Sequence, residues 1–447
     1  MVDYPADILG AMGNTPLVRI DRLRGGRAPT LLAKLEFYNP GGSVKDRIGI
    51  SMLKAAMDEG KLRRGGTVVE PTSGNTGVGL AIAANLLGLH AVFTMPDKMS
   101  EEKRRLLRAY GAEVVICPTN VAPEDPRSYY VVARQLAAER NGFLPDQYSN
   151  PNNPLAHYRT TGPEIWRQTH GRITHLVAGA GTGGTISGAG RYLKEQNPKV
   201  QIVGVDPEGS MLSGGKVHPY KIEGIGEDMI PATIDLGLID RWEVCSDRNA
   251  YLMARRVVKE EGFLIGSSGG AAIWGALQVC DGLSAEAVVV VIVPDGGDRY
   301  LSKLFNDAWM RDNGFLDDTS LTLLSVLEGK GDRIPQVVSV APGASLKEAY
   351  RLMRTHDISQ LPVLDEGRNV GLIEERALLA RAMEDPKVLE RPVSALMEAP
   401  LPEVQGGLSL EAAMRHFSKE TPALLVSRAG TIIGLVSKGD IVERLAR

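Results

Sequence analysis

Cys117, Cys245 and Cys280 are the only cysteines in 447 residues. They are odd in number and far apart, which excludes a disulfide framework and points to a reducing compartment. Charge of one sign is also missing. Lys plus Arg number 51 and Asp plus Glu 54, a net charge of −3, so there is no electrostatic footprint for nucleic acid. The densest basic run, Lys103-Arg104-Arg105 with Arg108, follows Glu101 and Glu102 and reads as a solvated helix face. The longest strongly apolar run, Ala287 to Val293, is too short to span a bilayer, and no charged-then-apolar segment opens the chain. A cytoplasmic protein without membrane or nucleic-acid partners is expected. The seven histidines lack metal-ligand spacing, so no metal site is expected, and His170 and His175 flank a turn-like Gly-Arg that predicts a loop.

What the chain does have is length for two or three domains and, at 43% hydrophobic residues, the means to build their cores. Short apolar runs alternate with longer helical stretches, the βαβ pattern of a doubly wound α/β protein. The run from Ala287 is β-branched and stops at Pro294-Asp295-Gly296-Gly297-Asp298, as a buried parallel strand does.

Three stretches carry chemistry. In Asn39-Pro40-Gly41-Gly42-Ser43-Val44-Lys45-Asp46-Arg47 a Pro-Gly-Gly turn feeds a Ser-x-x-Asp helix start, Ser43 to Asp46. Lys45 then lies in a first helical turn, where the positive dipole end disfavours an ammonium and favours the nucleophilic amine. Glu70-Pro71-Thr72-Ser73-Gly74-Asn75-Thr76-Gly77 joins the apolar Thr67-Val68-Val69 to a buried-helix pattern from Val78 to Ala84. Such a turn is where open α/β sheets bind ligands, and its amides and hydroxyls suit a carboxylate. A plain N-cap loop is the rival reading. Gly179-Ala180-Gly181-Thr182-Gly183-Gly184-Thr185 follows the strand-like His175-Leu176-Val177-Ala178 and suits phosphate. Gly179, Gly181 and Gly184 also satisfy G-x-G-x-x-G, with Asp206 after the strand-like Gln201 to Val205, so a dinucleotide site competes on this loop alone.

Taken in order, with Gly13-Asn14-Thr15-Pro16-Leu17 before them and Gly266-Ser267-Ser268-Gly269-Gly270 after them, these stretches resemble the fold-type II pyridoxal-phosphate enzymes of the cysteine synthase and cystathionine β-synthase group. The resemblance covers about the first two-thirds of the chain. It implies two doubly wound subdomains with the cofactor between them. Lys45 matches the lysine bonded to the cofactor's aldehyde, and Gly181, Thr182, Gly183, Gly184 and Thr185 match the phosphate loop. Asn75 matches the partner of the 3′-oxygen, and Ser268 the hydroxyl facing the pyridine nitrogen. Thr72, Ser73, Gly74, Thr76 and Gln147 match the region that holds the substrate α-carboxylate. Haem is not expected, because the Gly-Asn-Thr-Pro motif starts only a dozen residues in.

Within the group, Asp146-Gln147-Tyr148 with Asn153-Pro154-Leu155-Ala156-His157-Tyr158, and Val205-Asp206-Pro207-Glu208-Gly209-Ser210, resemble the β-synthases. So does Glu223-Gly224-Ile225-Gly226, the mobile loop on the second-substrate side. Glu227 departs from the tyrosine of the animal and yeast enzymes. It either recognises the amino group of homocysteine or is solvated at a loop tip.

The last third repeats itself. Gly371-Leu372-Ile373 and Gly434-Leu435-Val436 are offset by 434 − 371 = 63 residues, and Ala344-Ser345-Leu346 and Leu408-Ser409-Leu410 open the two copies alike. This resembles a tandem pair of cystathionine β-synthase (CBS) domains, a module that often binds adenosyl ligands. The second copy keeps an acid, Asp440, in Ser437-Lys438-Gly439-Asp440, where the first has Ala377. The expected layout is a catalytic domain over 1–315, a linker over 316–333 and CBS domains over 334–391 and 392–447. The expected activity is a pyridoxal-phosphate-dependent lyase joining serine or cysteine, the latter with release of hydrogen sulfide, to homocysteine. A cysteine synthase with a regulatory module is the alternative, and a decayed, non-enzymatic adenosyl-binding scaffold a third. A homodimer or higher homo-oligomer is expected.

Overall fold

A computed structural model describes residues 5–72, 74–99, 101–122, 124–316, 322–330, 337–418, 421–428 and 430–446. The chain divides into two units, Met1–Phe315 and Leu316–Arg447.

The strands of the first unit are β1 Leu17–Arg19, β2 Thr30–Leu35, β3 Thr67–Pro71, β4 His90–Pro96, β5 Glu113–Cys117, β6 His175–Gly179, β7 Gln201–Pro207, β8 Arg241–Cys245 and β9 Val288–Val293. Its helices are α1 Lys45–Asp58, α2 Asn75–Leu87, α3 Glu101–Ala109, α4 Tyr129–Glu139, α5 Asn152–Arg159, α6 Thr161–Gln168, α7 Gly184–Gln196, α8 Asp247–Glu261, α9 Ser267–Cys280 and α10 Asp307–Asp312. One sheet has the order β1-β2-β9-β6-β7-β8, parallel apart from the β1 edge, and a second is the parallel β3-β4-β5. β9 lies between β2 and β6 with Val289, Val290 and Val291 fully buried, which explains its unbroken β-branched run. This is the doubly wound α/β architecture expected from the sequence. His175 opens β6 rather than lying in a loop, and His170 alone occupies the turn, at φ 52°.

Helices α1 and α2 cross in close contact. A Cβ on Gly49 would meet the Gly79 carbonyl carbon at 2.5 Å, and one on Gly79 would meet the Lys45 carbonyl oxygen at 2.6 Å. The first turns of both helices are thereby drawn together, one carrying Lys45 and the other Asn75 and Thr76.

In the second unit the described elements are α11 Leu323–Gly329, α12 Leu346–His356, β10 Gln360–Asp365, β11 Arg368–Glu374, α13 Glu375–Glu384, β12 Glu403–Gln405, α14 Leu410–Met414, β13 Ala423–Arg428, β14 Thr431–Ser437 and α15 Lys438–Ala446. The repeat extends to irregularities. The β10–β11 register shifts between Val363 and Leu364, and the β13–β14 register between Val426 and Ser427, again 426 − 363 = 63 residues on. Ser345 and Ser409 both cap the helices they precede, accepting from Glu348 N and Ala412 N. The stretch expected as a linker is not a plain spacer. Leu323 and Val326 of α11 are buried in one core with Leu424, Val426 and Val436 of the second repeat, because their spacing puts both on one helix face. Asp317, Asp318 and Gly331 of that stretch lie outside the described residues.

Candidate active site

The carboxyl ends of β3, β6 and β9 open onto a cavity of ≈ 720 Å³. Its lining includes Lys45, Thr72, Gly74, Asn75, Thr76, Gln147, Thr182, Gly224, Gly226, Glu227 and Ser268. A recess of ≈ 30 Å³ adjoins it, lined by Gly181, Thr182, Gly183 and Thr185. Lys45 borders both, so the structure brings the separate motifs together around one amine. Ser73 lies outside the described residues. The Gly13 to Leu17 motif does not line either cavity. Its Thr15 hydroxyl instead donates to Glu36 Oε1 at 2.7 Å.

Lys45 is the first residue of α1, but the expected capping box does not form. Ser43 Oγ accepts from Lys45 N at 3.2 Å, two residues on, while the Asp46 carboxylate turns back to accept from Gly41 N. The helix is capped by Val44 with no side-chain bond. The Pro-Gly-Gly turn presents the Gly41 amide to Asp46. Burial pushes the Lys45 amine below its ordinary range, against the opposing pull of Glu227 and Asp295. Desolvation at the cavity floor, rather than the helix dipole, is the leading cause.

The residue two beyond Lys45 anchors the floor. Arg47 Nε and Nη2 donate to the two Glu36 oxygens at 2.7 and 2.8 Å, and Nη1 and Nη2 to those of Glu164 at 2.7 and 2.8 Å. Lys34 Nζ donates to Glu164 Oε2 at 2.7 Å. All four side chains are nearly or fully buried. Burial raises the Glu164 carboxyl, but the Arg47 hydrogen bonds and charge outweigh it and hold Glu164 at about 2. This network carries no motif signature in the sequence, because its members are up to 164 − 34 = 130 residues apart.

Asn75 opens α2 and donates from Nδ2 to Asp295 Oδ2 at 2.8 Å, while Arg299 donates to its Oδ1. Tyr300 OH donates to the same Asp295 oxygen at 2.6 Å. Burial raises the Asp295 carboxyl, and its Oδ1 has no hydrogen-bond partner. Thr76 Oγ1 donates to Gln147 Oε1 at 2.7 Å. The Gln147 and Asp146 amides donate to the two oxygens of Glu70 at 3.2 and 2.9 Å, and burial lifts that carboxyl to about 7. α2 is capped by Gly74 without a side-chain bond, so capping does not account for the loop's polar residues.

At the glycine loop, Gly183 adopts φ +80°, and a Cβ there would meet Ile234 Cβ at 2.2 Å. The loop runs into the first turn of α7, whose leading N–H groups have no intrahelical acceptors. Asn153 and His157, at i and i+4 on α5, back it. Asn153 Nδ2 donates to Thr182 Oγ1 at 3.1 Å, and His157 Nε2 lies 3.2 Å from Thr185 Oγ1. Burial, aided by Arg47, pushes His157 down to about 3, so the ring is neutral. The i, i+4 spacing was the available sequence signal for this pair. The residues fit pyridoxal phosphate: a glycine recess that leaves room for an anion, joined at one amine to a cavity carrying an amide and a buried hydroxyl. Asp206 is not a ribose partner. Its Oδ2 accepts from Ser213 N at 2.9 Å and braces the loop that follows β7.

The Glu223 to Glu227 loop closes one side. Glu223 pairs with Lys103 of α3 and with Lys303, both at 2.7 Å. The basic face of α3 is therefore split. Arg105 and Arg108 pair with Glu101 toward solvent and Arg104 pairs with it from a part-buried position, whereas Lys103 reaches the cavity. Glu227 is part-buried in the cavity wall rather than solvated at a tip. In the second unit, Asp440 Oδ2 accepts from Ser437 N and Ser437 Oγ at 2.7 Å each and pairs with Lys330 Nζ at 2.7 Å.

The family described as "Pyridoxal-phosphate dependent enzyme" matches residues 8–295, and "CBS domain" matches 333–384 and 393–447. A cystathionine beta-synthase of Dictyostelium discoideum is 38% identical over 461 residues, covering 99% of this chain and 92% of that protein. One of Oryctolagus cuniculus is 39% identical over 470 residues, covering 98% and 85%. The crystal structure of a hydrogen sulfide-producing enzyme from Fusobacterium nucleatum superposes with TM-score 0.64 at 36% identity, covering 67% of this chain and 99% of that one. No helix among the described residues is long and apolar enough to cross a membrane.

Proposed function

The chain belongs to the cystathionine beta-synthase family of pyridoxal-phosphate dependent enzymes, and from that premise we propose that it condenses L-serine or L-cysteine with L-homocysteine to give L-cystathionine. The supporting observation is the convergence of Lys45, Asn75, Ser268, the Thr72 to Thr76 loop, the glycine loop and the Gly224 to Glu227 loop on one cavity.

Lys45 would hold the cofactor through Nζ, Gly181 to Thr185 its phosphate, Asn75 its 3′-oxygen and Ser268 its ring nitrogen. Pyridoxal phosphate, when bound, supplies an electron sink that weakens the Cα–H bond of an attached amino acid. The residues of the chain do the rest. Thr72, Gly74, Thr76 and Gln147, with Ser73, hold the α-carboxylate. Thr76 and Glu70 fix Gln147 from two sides, so its amide is already oriented. Lys45, lowered by burial, takes the proton from Cα and gives it to the departing Cβ substituent. The Cβ–O bond of serine breaks, a Cβ–S bond to homocysteine forms, and the hydroxyl leaves with a proton as water. With cysteine the leaving group is hydrogen sulfide. Lys45 then takes the proton that the homocysteine thiol loses and returns it to Cα. The thiol approaches past Gly224, Gly226 and Glu227, and the Lys103–Glu223–Lys303 bridge holds that loop against α3, excluding water.

A side-by-side assay tests this. Cystathionine from serine plus homocysteine is expected to outrun cysteine from O-acetylserine plus sulfide. Turnover confined to the second pair makes the chain a cysteine synthase and overturns the reading.

For the tandem module we propose adenosyl-ligand binding at Asp440 that modulates activity or oligomer state. A ribose arriving at Asp440 competes with Lys330, so affinity is modest. Calorimetry with S-adenosylmethionine and with AMP is expected to give saturable heat for one of them, and no heat at saturating concentrations of either removes the sensor role. A homodimer or higher homo-oligomer is checked by light scattering. A cytoplasmic location rests on three free, buried thiols.

A further inference from the structure

Two carboxylates line the ≈ 720 Å³ cavity, and they are treated differently. Glu223 is neutralised by two lysines. Glu227 forms no ion pair among the described residues, yet its backbone is fixed from two directions. Its N–H donates to Ser210 Oγ at 3.0 Å, and its carbonyl accepts from Met211 N at 3.0 Å. The preceding Gly226 donates from N to Ala180 O at 2.7 Å, tying the loop to the base of the glycine loop. The Glu227 Oε1 lies 3.6 Å from where a Cβ on Gly181 would stand. Around it in the cavity wall are Tyr129, Tyr130, Tyr148 and Tyr220, all of which feel its charge, with Lys45 as the cation it senses.

Burial lifts the Glu227 carboxyl to about 7 against the pull of Lys45, so its ionised form is costly to keep in a wall of neutral hydroxyls, and a bound ammonium beside it removes that cost. We infer that Glu227 is a specificity-determining residue that contacts the α-ammonium of the second substrate, selecting an amino-acid thiol over thiols without an amine and over sulfide. Lys98 and Lys221 line the same cavity and offer cations to the carboxylate of such a zwitterion. The inference rests on the cystathionine-forming reading above.

The test compares thiols on the full-length, cofactor-loaded enzyme at saturating serine. The probes are L-homocysteine, 4-mercaptobutyrate (the same chain without the amine) and 2-mercaptoethanol. In Glu227→Gln the ratio of kcat/KM for homocysteine to that for the amine-free thiols is expected to fall about tenfold to a hundredfold, mostly through KM. Glu227→Asp, which keeps the charge, is expected to retain most of the preference. An unchanged ratio, or an equal loss with all three thiols in both variants, overturns the inference. A wild-type enzyme that makes no cystathionine but turns over O-acetylserine and sulfide overturns the cystathionine-forming reading, and this inference with it.

Discussion

Ser268 is 3% exposed and stands in the first turn of α9. In the proposed role its hydroxyl would hydrogen-bond the cofactor's pyridine nitrogen without protonating it, which would limit charge delocalisation and favour prompt loss of the β-substituent. Ser268→Asp would place an anion there, hold the nitrogen protonated and prolong the carbanion. β-Replacement is expected to fall about tenfold or more, and the cofactor's visible band is expected to bleach during turnover as abortive amino transfer sets in. A variant with wild-type kcat and a stable band would contradict this role. At the same scale, Lys45, Asn75, Thr76, Gln147 and Ser268 stood out in the sequence because each sits in a short local pattern. Asp295, Arg299 and Arg47 did not, because their partners come from distant elements and only burial reveals them. Lys103 was hidden by its arginine neighbours, which share its charge and not its place in the cavity.

Among elements, the glycine loop and the α7 start are the proposed anion site. Gly183 tolerates φ +80° and leaves Ile234 its space. Gly183→Ala adds a left-handed strain of about 1–2 kcal/mol and a steric clash. The cofactor dissociation constant, read by fluorescence titration, is expected to rise at least about tenfold, with far-ultraviolet dichroism unchanged. Unchanged affinity would mean that the loop does not hold the phosphate. The strands around this site were legible, because parallel strands buried on both faces read as apolar runs, as β6 and β9 do. α11 was not. Its seven residues sit between polar, glycine-containing stretches that look like a spacer, and its apolar face is meaningful only against the second repeat's core.

Across the first unit, buried carboxyls pull the pH dependence of stability in opposite directions. Burial lifts Asp46 and Glu70 to about 7 each. The folded state therefore holds more protons than the unfolded chain between about pH 4 and 7, and their contribution to stability falls as pH rises through that window. Glu164, held at about 2, contributes stability that is present above its unfolded value and lost as pH falls toward 2. The urea midpoint of the loaded protein is expected to decline from about pH 5.5 to about pH 8, and Glu70→Gln is expected to make that decline shallower. An identical decline in the variant would show that Glu70 is ionised throughout. The doubly wound layout and the tandem repeat were visible in the chain as alternation and as an offset of 63 residues. The buried network that joins Lys34, Glu36, Arg47 and Glu164 was not, since folding alone brings those segments together.

The proposed mechanism turns on the amine of Lys45 carrying the cofactor. The most direct measurement is the visible absorption spectrum of Lys45→Ala beside the wild type, followed by borohydride reduction and peptide mapping. The wild type is expected to be yellow, with its reduced cofactor on the peptide containing Lys45, and the variant to show no covalent label and no cystathionine formation. A variant that keeps both the label and the turnover would contradict that mechanism.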